Sequence, residues 1–269
     1  MKLTAEQIEG YRSNGYLHVP GVFSQAQTDA LRQLVYRLYR RFRSAEETWM
    51  DSPAPWREQG FDDAMIALRS SSPREFGALY DCAQSSFELV RLVTDSRLAR
   101  IAADCLEDDA QDLSFSGLML RMDPPKDNRN AIDWHQDRSY YPQNDNGEHG
   151  VVVTVALQDI AADSGALKIC PGSHRAGLVA PVQRIKDDYE TTEQRSVPLE
   201  EVARCAQIDA EIACGDVLVM SLNLFHRSGS NMQGHIRYSA LCRYHRVMAA
   251  DYAPFGLIYQ FNDYMMETR

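Results

Sequence analysis

The polar break Asp108-Asp109-Ala110-Gln111-Asp112 separates two textures, and that division limits the architecture more than any other feature of the chain. Before it, apolar residues recur at helical spacing. Leu31, Leu34, Val35, Leu38, Tyr39 and Phe42 form one stripe; Leu89, Val90, Val93, Leu98, Ile101 and Ala102 form another within a helix over Phe87–Leu106. Two capping boxes, Thr4-Ala5-Glu6-Gln7 and Ser24-Gln25-Ala26-Gln27, start helices. The first helix stops near Asn14-Gly15, and a brief strand, Tyr16–Val19, closes at Pro20-Gly21. Residues 44–80 contain Pro53, Pro55 and Pro73 without a clear period, and read as loops and short helices that cover something.

After the break come short strands: Leu113–Met122, Val151–Leu157, Ala166–Ile169, Gln207–Ile212, Val217–Met220 and Ile236–His245. Turns such as Asp163-Ser164-Gly165, Pro171-Gly172-Ser173 and Cys214-Gly215-Asp216 punctuate them. The amphipathic helices can bury their stripes only against a sheet. The pattern predicts a mainly β (α+β) fold, a β-sandwich or jelly roll with the N-terminal helices packed on one sheet. A single domain over 1–269 is expected, helical over about 1–110 with a strand core over about 111–247.

The net charge of -10 argues against nucleic acid as a partner, because phosphate binding wants a basic surface. The basic run Arg32, Arg37, Arg40, Arg41 and Arg43 reads as a solvated helix face. Membrane association is not expected, since no apolar run has spanning length. The start, Met1-Lys2-Leu3-Thr4-Ala5-Glu6, lacks a signal-peptide apolar region, which points to the cytoplasm. Six cysteines without a C-x-x-C pair fit buried thiols in a reducing compartment. The sequence does not set the oligomeric state.

Chemistry concentrates at Trp134-His135-Gln136-Asp137. In an extended segment residues i and i+2 share a face, so His135 and Asp137 present an imidazole and a carboxylate side by side. A second, distant histidine would complete the two-histidine, one-carboxylate face of non-haem Fe(II) oxygenases, and His226 is the candidate. If the strand entered at Gly215-Asp216 pairs as a hairpin with the return strand His235–His245, Arg237 faces the same cavity as His226. A buried guanidinium there grips a carboxylate, and Ser228 can donate a hydroxyl to the same group. Zinc accepts the same three ligands, so a zinc hydrolase stays open, although it has no use for a keto-acid clamp.

Three pieces resemble the phytanoyl-CoA dioxygenase family of Fe(II)/2-oxoglutarate-dependent oxygenases. They are Trp134–Asp137, the run Ser164-Gly165-Ala166-Leu167-Lys168-Ile169-Cys170-Pro171-Gly172-Ser173-His174, and Gly215-Asp216 through His226-x-Ser228 to Arg237. The opening, Leu3–Gln7 through Gly15-Tyr16 to Pro20-Gly21-Val22, is similar too, so the resemblance spans about residues 3–247. It implies a double-stranded β-helix (jelly-roll) core and His135, Asp137 and His226 as iron ligands. It further implies that Arg237 and Ser228 hold the far carboxylate of 2-oxoglutarate, with O2 as the oxidant. His174 belongs to a run that marks the family's fold rather than its chemistry. Related halogenases lack the carboxylate ligand, so the presence of Asp137 implies hydroxylation or another oxidative outcome rather than halogenation.

The resemblance therefore implies hydroxylation of an unactivated C–H bond of a small molecule, with 2-oxoglutarate converted to succinate and CO2. Desaturation, epimerisation or ring formation at the same iron site remains open, as does a non-catalytic jelly-roll binding protein. Arg121, Arg138 and Arg243 are candidate partners for an anionic group on the substrate, and Tyr140 and Tyr141 are candidate pocket walls. Segments 44–80 and 181–205 are candidate lids. His18, His149, His235 and His245 have no ligand-like context and read as structural.

Overall fold

The computed structural model describes residues 2–253, apart from 43–45, 128, 142, 145 and 187–188 and the side chains of 184–186 and 189–193. Arg43 of the basic run, and part of the 181–205 segment, thus lie outside the described residues. Helix α1 (Ala5–Asn14) starts at the expected capping box: Thr4 Oγ1 accepts the Gln7 N–H at 3.2 Å, and Gln7 Oε1 accepts the Thr4 N–H at 2.9 Å. It ends at Gly15, and β1 (Tyr16–Val19) follows. Helix α2 (Gln25–Phe42) buries Leu31, Val35 and Tyr39 as its stripe predicts.

The next stretch departs from expectation. Two helices, α3 (Gln59–Ser71) and α4 (Pro73–Gln84), occupy most of the segment expected to be loops and short helices. Their apolar positions (Phe61, Met65 and Leu68; Phe76, Leu79 and Ala83) keep helical spacing, but each run lasts only three turns and the break at Ser72 hides the period. Pro73 opens α4, where a missing N–H costs nothing. The single helix expected over Phe87–Leu106 is two, α5 (Phe87–Val93) and α6 (Ser96–Leu106). Asp95 splits them by accepting the Arg97 N–H at 2.9 Å, an N-cap that restarts the helix. Arg32 is not solvated: it lies over the Tyr238 ring, 5.1 Å from its centroid, and 4.0 Å from Asp62.

The strands are β2 (Leu113–Asp123), β3 (Gly150–Ala156), β4 (Leu167–Ile169), β5 (Val182–Lys186) and β6 (Tyr189–Ser196). The short helix α7 (Leu199–Val202) precedes β7 (Ile208–Ala210), β8 (Val217–Ser221), β9 (His226–Arg227) and β10 (Arg237–Arg246). The β5–β6 pair was not expected from the sequence. One antiparallel sheet has the order β1-β8-β3-β10-β2, and a smaller one the order β7-β4-β9. The expected hairpin between β8 and β10 does not form, because β3 lies between them. Between those two strands the chain crosses over to pair β9 with β4 in the smaller sheet, and that detour opens the gap β3 fills.

Strand alternation decides what packs where. Val151, Val153 and Val155 of β3, with Tyr238, Ala240 and Cys242 of β10, share one core with the helices. Val152, Ala156, Leu218 and Met220 face the other way, onto Ile169 and Ala210 of the smaller sheet. With both faces covered, β3 reads as a valine-rich, nearly continuous apolar run instead of alternating. Each such side chain contributes about 1.5–3 kcal/mol on burial, so the central sheet is the firmest support the site could have.

The Gly215-Asp216 turn ties the N-terminal segment to this sheet. Asp216 accepts the N–H groups of Gly21 at 2.8 Å and Ala213 at 3.0 Å and lies 2.6 Å from His18 Nε2. Gly215 has φ +86°, and a Cβ there would sit 2.0 Å from the Phe23 carbonyl oxygen. Gly215→Ala is therefore expected to lower stability by about 3 kcal/mol, the upper end for a non-glycine forced left-handed. Urea unfolding checks it, and an unchanged midpoint would show that this joint bears no strain.

Candidate active site

His135 and His226 meet through a two-residue ladder. The His135 N–H donates to the His226 carbonyl at 2.9 Å and the His226 N–H donates back at 3.1 Å. Directly opposite residues in an antiparallel pair share a face, so the two rings come to 4.1 Å between centroids. Each Nδ1 lies against a carbonyl two residues upstream: His135 on Asp133 at 2.8 Å, His226 on Leu224 at 3.0 Å. A carbonyl only accepts, so each Nδ1 carries the proton and each Nε2 keeps its lone pair. Gln136 is extended, which brings Asp137 to the same side as His135. Asp137 Oδ1 lies 3.4 Å from His135 Nε2 and 3.8 Å from His226 Nε2.

Those three atoms lie within 4.8 Å of one another, all three residues are buried, and the group could hold a metal ion. The donor set fits a divalent cation: two imidazole lone pairs and one carboxylate. Burial and the neighbouring His135 push the His226 pKa down to about 4, so its ring is neutral at pH 7. Burial works against an ionised Asp137, but Arg243 and the two histidines outweigh it and hold this carboxyl far below the usual range. His174 is elsewhere, with Nε2 3.0 Å from the Arg12 carbonyl oxygen.

Trp134 and Gln136, beside His135 and Asp137, pack into the protein. Trp134 is buried with Cys170, Val197 and Phe225. The Gln136 amide donates to the carbonyls of Gly177 and Asn223, both at 2.7 Å, and accepts the Val179 N–H at 2.9 Å. Three partners thus hold the residue between His135 and Asp137. Among the other histidines, His149 meets Asp251 at 2.8 Å and His245 meets Ser116 at 2.9 Å.

Arg237 lies on the face of β10 turned toward the smaller sheet. It is buried, with Nε 3.2 Å and Nη2 2.5 Å from Asp123 Oδ2, while Nη1 donates to the Gly165 carbonyl. Arg121 binds the same carboxylate at 3.0 and 3.2 Å and the Asn130 carbonyl at 2.8 Å. Burial alone would raise the Asp123 pKa, yet the two guanidinium groups bring it to about 2. Sequence reasoning missed Asp123, although its parity with Arg121 was a usable signal. A cavity between the sheets is lined by Arg121, Arg237, Thr154, Ser239, Ile212 and Leu218. Ser228 borders a neighbouring cleft with Arg237 and Asn231, and its Oγ accepts the Ile132 N–H at 3.1 Å.

The remaining candidates separate. Arg243 reaches Asp137. Arg138 is buried, with its N–H on the Leu222 carbonyl at 2.9 Å. The Tyr140 ring stands edge-on to His135 with centroids 5.9 Å apart, and its hydroxyl accepts the Arg195 N–H at 2.7 Å. Tyr140 therefore joins the histidine cluster to β6.

A family model described as phytanoyl-CoA dioxygenase matches residues 11–239. Ectoine dioxygenase of Sphingopyxis alaskensis is 24% identical over 265 residues, covering 95% of this chain and 80% of that protein. Among solved structures, the carbocyclase SnoK from nogalamycin biosynthesis aligns with TM-score 0.63 at 18% identity, covering 97% of this chain and 91% of the other. The epimerase SnoN, in complex with Fe3+, alpha-ketoglutarate and nogalamycin RO, aligns with TM-score 0.62 at 20% identity over 94% and 87% of the two chains. The structural likenesses establish the fold. Matched over most of its length, the chain belongs to the phytanoyl-CoA dioxygenase family and is an Fe(II)/2-oxoglutarate-dependent oxidoreductase.

Proposed function

We propose that this enzyme hydroxylates an unactivated C–H bond of a small-molecule substrate, with His135, Asp137 and His226 holding the iron and Arg237 with Ser228 holding the far carboxylate of 2-oxoglutarate. The observation that carries the reading is the convergence of three metal-competent atoms from distant positions at one buried point. Ser228, two residues beyond His226, shares a cleft with Arg237. A guanidinium has five N–H donors, and Asp123 and Gly165 take three of them from Arg237. One donor is left on each terminal nitrogen, the arrangement that grips a carboxylate with two bonds. The facing sheets are read as a double-stranded β-helix. One apolar core shared by helices and sheet supports a single domain.

When bound, iron and 2-oxoglutarate supply the oxidising power, with O2 consumed and succinate and CO2 released. The chain's own residues supply geometry. The two Nδ1 hydrogen bonds fix the rings, Asp123 braces Arg237, and burial keeps water from the site. The six unpaired thiols suit a reducing cytoplasm. Among the described residues no helix is long and apolar enough to cross a membrane.

The named outcomes of the similar proteins (a dioxygenase, an epimerase and a carbocyclase) favour a second reading, in which the same site ends in epimerisation, desaturation or ring closure. Product mass separates the two, since hydroxylation adds one oxygen. Protein purified without oxygen is expected to bind Fe(II) stoichiometrically and to release succinate in an iron-dependent way. An absence of succinate across a broad panel of acids, amines and thioesters would count heavily against the proposal.

A further inference from the structure

Beside the histidine cluster the ladder between β10 and β2 slips. Leu241 faces Met119, but Arg243, two residues on, faces Ser116, three residues back, so β2 carries one residue more. The extra residue falls at Gly117-Leu118, and Gly117 has φ +56°, a conformation glycine takes without steric cost. A bulge of this kind frees ladder groups and re-aims neighbouring side chains. Here the Gly117 carbonyl accepts from Arg243 Nη1 at 2.9 Å. The space over Gly117 admits Tyr141, since a Cβ there would lie 2.4 Å from the ring. Tyr141 in turn lies against the guanidinium of Arg243, 4.2 Å from ring centroid to Cζ. Held at one edge and one face, Arg243 directs Nε at Asp137 Oδ2 from 2.9 Å. The other oxygen, Oδ1, is the one turned toward both imidazoles.

We propose that Arg243 is a positioning residue which, by holding Oδ2 of Asp137, leaves the metal only Oδ1 and keeps the carboxylate from closing on the ion with both oxygens. The inference rests on the reading of His135, Asp137 and His226 as metal ligands. Carboxylates bind cations through one oxygen or two, and the second would occupy a position that the keto acid needs. The Gly117 bulge and Tyr141 are the brace that holds the guanidinium in place. Arg243 thereby acts through Asp137 and not on the substrate.

The test compares Arg243→Met, Arg243→Lys and Tyr141→Leu with the unaltered protein, all without oxygen. Metal affinity is read with Co(II), whose visible spectrum reports coordination number. Co-substrate affinity is read from the charge-transfer band of the Fe(II)·2-oxoglutarate complex. In Arg243→Met, 2-oxoglutarate affinity should fall ~10–100-fold, the usual scale for a residue that orients a ligand, with Co(II) affinity retained within ~10-fold. Its Co(II) spectrum should shift toward higher coordination. Arg243→Lys keeps the charge but not the fork, and Tyr141→Leu removes only the brace, so both should move the same way by less. They serve as the test should Arg243→Met not fold. Wild-type 2-oxoglutarate affinity with an unchanged Co(II) spectrum in the Arg243 variants overturns the inference, as does complete loss of Co(II) binding from a folded variant. If even the unaltered protein binds no metal, the reading of the site itself has failed, a result distinct from either.

Discussion

His226→Ala is expected to bind no Fe(II) and to form succinate at least ~10³-fold more slowly, while costing only about 1–3 kcal/mol of stability, the ordinary range for one substitution. The two effects differ because the His226 ring is neutral and makes one hydrogen bond, to the Leu224 carbonyl. Removing it strands no charge. Asp137→Ala removes another proposed ligand, but it leaves the buried Arg243 facing a void where its carboxylate partner stood. Breaking a buried pair costs about 3–5 kcal/mol, so in that variant lost metal and lost fold are hard to separate. His226 is the cleaner probe. Iron content after anaerobic loading, read beside the thermal midpoint, checks it, and iron retained at the wild-type level would remove His226 from the ligand set.

The second large effect is expected at Arg237. Arg237→Leu should weaken 2-oxoglutarate binding ~10²–10⁴-fold, on the basis of two charge-assisted bonds at about 1.5–3 kcal/mol each. It also takes one of two guanidinium partners from Asp123, but Arg121 stays at 3.0 Å, so the stability loss should stay near 2–3 kcal/mol. Asp123→Ala is the harsher change for the fold, because it leaves two buried cations facing each other. Arg237→Lys keeps the charge but cannot serve Asp123, the Gly165 carbonyl and a ligand carboxylate together. It should raise the KM for 2-oxoglutarate much more than it lowers kcat. An unaltered KM in Arg237→Leu would end the assignment of the clamp.

Family membership leaves the reaction's outcome open. The similar proteins are named for oxygenation, epimerisation and carbocycle formation on a shared fold. In this chain the Tyr140 ring lies 5.9 Å from that of His135, and its hydroxyl accepts the Arg195 N–H of β6. Arg243, read from the sequence as a substrate contact, has its Nε on Asp137 and Nη1 on Gly117.

Much of the architecture was legible because it depends on near neighbours. The Thr4 cap, the α2 stripe and the shared face of His135 and Asp137 follow from turns and pleats a few residues long. Where a local pattern was short or interrupted, at Ser72 and Asp95, the same reasoning gave the wrong helices. Tertiary structure alone decided which strands meet. Parity says that Arg237 and Arg243 share a face, but the pairing of β10 with β2 set Asp123 opposite one, and the bulge at Gly117 braced the other against Asp137. In the larger sheet, strand pairing joins residues roughly sixty to two hundred positions apart, and no periodicity within a single strand records which neighbour it will find.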